Sequence, residues 1–347
     1  MQSFLSSKSE RKLRINSSAQ IVVCGVGSIG SRHVRVLRDR FFLDPIALPM
    51  RKERVAALRA EGIRAVETWD VAAANRPELA VIATNTSRHV ADACEALALG
   101  AHVLVEKPLA PTVKGLRDLA DIAKRRGRAV FVACNLRFDT GLILFRHHVA
   151  DIGPVHSVRI ECQSFLPEWR PGTDYRRAYC ARADEGGVLR DLIHEIDYAI
   201  WLFGRPCKLF ARLKNSSALG IESDESADLY WESPAGASVS IRLDYLTRIP
   251  RRKMTAFGEL GDLEWDYFGK RVALALAGRP QQIWNIEQER DEMLRDQAAA
   301  FLRFAETHDA SSLATLEEGA FAVAVCDTAR ISSESGRMEP VLDWRNS

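Results

Sequence analysis

The chain lacks an excess of either charge: 48 basic side chains stand against 46 acidic ones, for a formal net charge of +2. It therefore offers no general field to nucleic acid or an anionic membrane surface. No apolar run is long enough to cross a bilayer. The opening MQSFLSSKSERKLRINSSAQ is polar and basic, without the apolar centre of a secretion signal, and residues 1–19 read as a loose tail. The seven cysteines (24, 94, 134, 162, 180, 207 and 326) are odd in number and scattered, with no CxxC pair. Most sit in apolar surroundings, which predicts free buried thiols, a reducing compartment and a cytoplasmic location. There is no HExxH and no cysteine–histidine grouping with zinc spacing, so no metal is expected. His147 and His148 are adjacent and cannot ligate from one helical face. No Gly-x-Ser-x-Gly elbow appears for serine hydrolysis, and there is no internal repeat or low-complexity stretch.

What is present is ordinary globular material, 47% hydrophobic and 27% charged over 347 residues. That length exceeds what one core usually serves, so two domains are expected. Short apolar runs at 21–24, 46–48, 79–83, 102–105 and 129–134 alternate with helical patterns at 31–40, 53–60, 87–99 and 113–126. Ser87 and Gly100 read as the cap and stop of the third helix. Strands apolar on both faces, alternating with helices, predict a doubly wound parallel sheet over 20–138. The rhythm then changes. Residues 155–165 alternate, a long helix is expected from Gly186-Gly187 to Phe203, and strand-like runs follow at 208–213, 227–231, 237–243, 253–257 and 261–265. Strands in succession predict an α+β domain over 139–347, closed by helices at 291–306 and 316–333.

Gly25-Val-Gly27-Ser28-Ile29-Gly30 follows the first strand and opens a helix. In that setting the first glycine permits the tight turn, the second lets a pyrophosphate approach, and the third lets helix pack on strand. The helix N-terminus presents free N–H groups to phosphate. About 20 residues on, where an NAD site normally carries a carboxylate, the chain reads Leu48-Pro49-Met50-Arg51-Lys52. Cations without an acid favour the 2′-phosphate of NADP(H), held by Arg51 and Lys52, with NAD(H) the other option.

The strand at 102–105 ends in Glu106-Lys107-Pro108, which aims a lysine into the cofactor crevice. Together with the glycine loop, Thr84-Asn85, Asn135-Leu136-Arg137-Phe138 and the Gly186-Gly187 segment, this resembles the Gfo/Idh/MocA family of NAD(P)-dependent sugar and polyol oxidoreductases. The resemblance runs through nearly the whole chain after the tail. It implies an α/β Rossmann domain followed by an α+β domain with an open-faced, mainly antiparallel sheet. It also implies a cofactor between the domains, contacted by Thr84, Asn85, Glu106 and Lys107, and a cis peptide before Pro108. Asn135 and Arg137 would face substrate at the domain junction. The family's sheet commonly builds a homodimer or homotetramer.

The second signature is Asp191-Leu-Ile-His194-Glu-Ile-Asp197, with its polar members three residues apart. An acid one turn before a histidine can orient the ring and stabilise its charged form. The family usually sets its acid four positions before its histidine, so this chain departs there while keeping the later His-x-x-Asp spacing. It looks closest to a branch of sugar-modifying enzymes from surface-polysaccharide and nonulosonic-acid pathways. Before the helix lies a loop with Trp169, Arg170, Asp174 and Tyr175, residue types that stack on sugar rings and bind hydroxyls, carboxylates or phosphates. The resulting expectation is hydride exchange between a nicotinamide and a carbinol or ketone carbon of a sugar, nucleotide sugar or polyol. In it His194 is the general acid/base, Lys107 steadies the alkoxide and Asp191 balances the histidine. A non-catalytic dinucleotide- and sugar-binding regulator, or a redox-neutral hydrolase or epimerase, would use the same fold.

Overall fold

In a computed structural model of the chain, residues 20–346 are described; the expected tail at 1–19 lies outside them. The first half runs β1 (Ile21–Cys24), α1 (Ser28–Phe41), β2 (Ile46–Leu48), α2 (Glu53–Ala60), α3 (Trp69–Ala73), β3 (Leu79–Ile82), α4 (His89–Ala98), β4 (His102–Val105), α5 (Leu116–Arg126) and β5 (Val130–Val132). The strands pair in parallel in the order β5-β4-β3-β1-β2. Every residue of these strands is buried, as expected of a sheet covered on both faces.

Three helix starts differ from the sequence expectation. Helix α1 begins at Ser28 because Gly30 is drawn into its first turn. A Cβ there would lie 1.8 Å from the Gly25 carbonyl oxygen. The third helix opens as a 3-10 turn, Thr86–Arg88, and Ser87 does not cap it. Instead the Ser87 N–H donates to Glu185 across the crevice. Helix α5 starts only at Leu116, because Gly115 adopts a left-handed φ of +81° that breaks the turn before it.

The second half continues with α6 (Thr140–His148), β6 (Val155–Gln163), α7 (Val188–Asp191), α8 (His194–Phe203), β7 (Lys208–Lys214), β8 (Ser226–Glu232), β9 (Ser238–Asp244), β10 (Arg251–Gly258), β11 (Gly261–Asp266), β12 (Arg271–Leu276), β13 (Gln282–Asn285), α9 (Arg290–Thr307), β14 (Ala314–Thr315), α10 (Leu316–Ser335) and β15 (Glu339–Pro340). Nine strands form one sheet, β13-β12-β11-β10-β6-β9-β8-β7-β15, antiparallel except where β6 meets β9. Helices α6, α8 and α10 pack on one face. The other face is open and carries a groove of about 700 Å³ lined by Phe210, Tyr230, Phe257, Arg159, Arg242 and Lys253.

The sequence predicts everything after residue 138 in this second unit, but part of it returns to the first. Helix α9 lies on α1, with Arg32 and Arg35 both donating to Asp291. Strand β14 extends the Rossmann sheet beside β5. The chain therefore crosses the domain junction three times, since α10 and β15 go back to the second sheet, and this fixes one half against the other.

The expected long helix at 186–203 is two helices. Leu192 leaves helical geometry at φ −98°, ψ +33°, and the Glu195 N–H bonds to Leu192 rather than reaching back to Asp191. The Asp191 carbonyl is thereby freed from the helix ladder, and Lys107 Nζ donates to it at 2.7 Å. The break thus builds part of the site.

Candidate active site

The glycine loop joins β1 to α1. Gly25, at φ +85°, sits so close to Ala83 that a Cβ would come within 2.5 Å of its carbonyl. Gly27 is the opposite case: nothing lies within 4 Å of where its Cβ would be. Gly27 is also the cap of α1, makes no side-chain capping bond, and is followed by no acid in the first turn. Open space in front of uncapped helix N–H groups fits a dinucleotide pyrophosphate. Gly27 and Ser28 are exposed there and Ile29 is partly buried. Arg51 and Lys52 are exposed just beyond the end of β2. Arg54, one turn further, donates to the Val26 carbonyl at 2.7 Å and ties that segment to the loop.

Thr84 and Asn85 follow β3. The Thr84 hydroxyl donates to Asp92 at 2.8 Å, and Asn85 is exposed. His89, buried below them, places Nδ1 at 2.8 Å from the Pro108 carbonyl and Nε2 at 3.1 Å from that of Thr84. It links the end of β3 to the turn carrying Lys107, and burial holds it below the usual histidine range. Glu106 does not reach outward. Its carboxylate accepts from His33 Nε2 at 2.8 Å, inside the domain. That pair braces α1 against the end of β4. The peptide before Pro108 is cis, as the resemblance implies.

Lys107 is the side chain that crosses the crevice. Nζ contacts the Asp191 carbonyl at 2.7 Å and its Oδ1 at 3.4 Å. Those contacts supply all of its hydrogen bonds among the described residues. The Asp191 carboxylate also accepts from Tyr179 at 2.5 Å and from Tyr245 at 3.2 Å. It makes no bond to His194, so the expected role of Asp191 as that ring's partner is corrected: the helix break turns it toward Lys107.

His194 begins α8 and is 8% exposed, with Nδ1 buried and unpartnered. Burial pushes its ring well below the ordinary histidine range, and the charges of Lys107, Arg252 and Arg290 push the same way. It is a neutral imidazole in a cation-rich wall. Arg252 is itself matched by Glu195, 2.8 Å away and fully buried.

Other expected substrate residues divide. Trp169 packs edge-on against Tyr245, centroids 5.4 Å apart. The Arg170 charge acts on Tyr179, so this arm of the loop reaches the site. Asp174 instead caps its own turn, and the Tyr175 hydroxyl bonds to the Leu219 carbonyl at 3.0 Å. These bonds hold the loop itself. Asn135 is partly buried at the junction. Arg137, expected to face substrate, is engaged inside the protein: it grips Asp197 through two bonds, 2.7 and 3.0 Å, and Glu318 through a third at 2.9 Å. It is buried, and desolvating a guanidinium there is tolerable only with this full complement. Tyr179, Tyr245, Arg252 and Arg290 were not singled out by sequence. Only the loop with Trp169, Arg170, Asp174 and Tyr175, read as facing substrate, pointed toward Tyr179 a few residues on.

The architecture defines a class: a two-domain chain with a Rossmann half of the dinucleotide-binding kind and a mainly antiparallel sheet half packed against it. Residues 19–134 match the family described as "Oxidoreductase family, NAD-binding Rossmann fold", and 148–264 match "GFO/IDH/MocA C-terminal domain". The chain belongs to the Gfo/Idh/MocA family. An uncharacterized oxidoreductase of Escherichia coli, YhhX, is 30% identical over 129 residues, 37% of this chain and 36% of that protein. The inositol 2-dehydrogenase/D-chiro-inositol 3-dehydrogenase of Halalkalibacterium halodurans is 25% identical over 187 residues, 52% of this chain and 51% of its own length. The chain thus matches these curated relatives over a third to a half of their length. The structure of an inositol dehydrogenase homolog from Azotobacter vinelandii, complexed with NAD+, superposes with a TM-score of 0.82 at 18% identity, covering 94% of this chain and 98% of that one.

Proposed function

We propose that the chain is a nicotinamide-dependent dehydrogenase acting on a carbinol or ketone carbon of a sugar, nucleotide sugar or polyol. One observation carries this reading: an ammonium whose hydrogen bonds among the described residues all go to Asp191 shares the crevice with a neutral imidazole whose Nδ1 is buried without a partner, at the strand-end mouth of a dinucleotide fold. A dinucleotide held by its pyrophosphate at the glycine loop would supply the hydride acceptor through its nicotinamide. In the oxidising direction the hydroxyl proton passes to the neutral form of Lys107, the carbinol hydrogen leaves as hydride, and the carbon–oxygen double bond forms. His194, held neutral by burial and by three cations, serves as hydrogen-bond partner to the hydroxyl rather than as the main base. This exchanges the division of labour expected from the sequence.

The missing carboxylate after β2 and the exposed Arg51 and Lys52 support NADP(H) over NAD(H). Trp169 and Arg170 support a substrate with a ring face and an anionic group, as in the nucleotide- or acidic-sugar branch. The open sheet face, with its groove, supports self-association as a dimer or tetramer. Cys24, Cys134, Cys162, Cys180 and Cys326 are buried free thiols, which supports a reducing, cytoplasmic setting. No helix among the described residues is long and apolar enough to cross a membrane.

The test is a fluorescence titration with NADPH and NADH on the wild type and Arg51→Ala, followed by turnover with neutral, acidic and nucleotide-linked sugars. NADPH is expected to bind about tenfold tighter than NADH, with the preference lost in the variant. A wild type that binds neither ends the dehydrogenase reading. Product formed without net change in nicotinamide absorbance would move it to the redox-neutral class.

A further inference from the structure

The Asp191 carboxylate is crowded in an uncommon way. Two phenols, from loop residue Tyr179 and from Tyr245 just after β9, donate to its two oxygens at 2.5 and 3.2 Å. Lys107 then contacts what is left of Oδ1, together with the backbone carbonyl of the same residue. A carboxylate that accepts two O–H bonds has less negative charge to lend to an ammonium. We propose that Tyr179, with Tyr245 in a lesser part, is a positioning residue that acts on Lys107 through Asp191, loosening the hold of Asp191 on the Lys107 proton. The proposal rests on the dehydrogenase reading above for its consequence in turnover.

The geometry makes the arrangement one-directional. Burial and the facing Asp191 hold both phenols well above the ordinary tyrosine range, so each stays a donor throughout working pH. The other groups around the cluster are few. Arg170 and Cys180 lie beside Tyr179, and Asp224 acts on Tyr245. The charges of Lys107, Arg252 and Arg290 act on His194, and Glu106, next to Lys107 in sequence, is engaged by His33. Among the described residues, none of these bonds to the Asp191 carboxylate. Among the described residues the two tyrosines are its side-chain donors besides Lys107.

Opposite signs follow for two conservative variants. Tyr179→Phe removes a donor, concentrates charge on Asp191 and strengthens its grip on the Lys107 proton. Asp191→Asn removes the charge and weakens that grip. Two readouts separate the proposal from the function it rests on. One is competitive acetylation of Lys107 across pH, followed by peptide mass spectrometry, which requires no substrate. The other is the pH midpoint of the oxidation rate. Tyr179→Phe is expected to move both midpoints up by about one unit, and Tyr245→Phe by about half of that. Asp191→Asn moves both down. An unchanged labelling midpoint in Tyr179→Phe, or a shift in the same direction as Asp191→Asn, overturns the proposal, since general loosening would give that result. Opposite labelling shifts in a protein that oxidises no sugar or polyol uphold the coupling and defeat the dehydrogenase reading instead.

Discussion

Asp191 and Asp197 stand six residues apart in sequence, and each holds a cation from the first domain, yet the two ion clusters are built for different ends. Asp197 receives Arg137 through two bonds, Glu318 takes a third, and the Arg137 side chain is only 4% exposed. All three guanidinium nitrogens donate to carboxylates inside the protein, so the cluster's charge is balanced within the fold. Asp191 receives Lys107 at the longer 3.4 Å, the lysine side chain is 20% exposed, and its remaining donor capacity faces the crevice. A guanidinium fork suits the first task because it can be saturated, and a single ammonium suits the second because it can be left incomplete and can lose its proton. Saturation marks a structural charge; incompleteness marks a chemical one.

Breaking each cluster in turn should separate stability from activity. Arg137→Ala strands Asp197 in the interior, and removing one partner of such a pair costs about 3–5 kcal/mol. Thermal unfolding should fall by about 10 °C, because the pair joins the domain junction to α8 and α10. Lys107→Met should do the reverse. Turnover is expected to drop about 10³-fold, with the melting temperature within about 3 °C of the wild type because Asp191 keeps both tyrosines. Calorimetry and steady-state rates on the two proteins decide the matter. An Arg137→Ala protein that melts like the wild type, or a Lys107→Met protein that turns over within a few fold, would erase the contrast drawn between the clusters.

The same contrast explains what was legible in the sequence. The dinucleotide half is built from backbone: glycines, strand ends and a helix N-terminus, whose requirements are local and therefore visible in Gly25, Gly27 and Gly30. The substrate half is built from side chains brought together by tertiary contact. Nothing in the run 186–203 reveals that the helix divides at Leu192 and leaves the Asp191 carbonyl to Lys107. Arg137 and Lys107 look alike as cations at a domain junction until burial distinguishes them. Strands β12 and β13 went unread because they lie toward the sheet edge. There Ala273 and Ala275 blur the alternation, and β13 keeps no residue fully buried. The return of α9 and β14 to the first domain rests on Asp291 reaching Arg32 and Arg35, a pairing across most of the chain.

Acid should distinguish the two clusters by smaller effects with different midpoints. His194 has a folded-state pKa depressed below its unfolded value, so the unfolded chain binds the proton more readily. Its contribution to stability is therefore complete above about pH 6.5 and is lost as pH falls below that. Glu318 is also depressed: burial alone would raise it, but the Arg137 guanidinium and the Thr315 N–H outweigh that. Its contribution is present above its ordinary range near 4.5 and is lost only as pH falls further, through its folded value. Melting temperature against pH should then decline in two limbs, the first joined by His89 and His102, the latter pushed down to about 4. His194→Asn should flatten part of the upper limb and leave the lower one, while Glu318→Gln should flatten the lower limb alone. If Glu318→Gln changes the slope between pH 5 and 6.5, as estimated from those ordinary values, the structural cluster is coupled to the site, and Asp191 and Asp197 belong to one network rather than two.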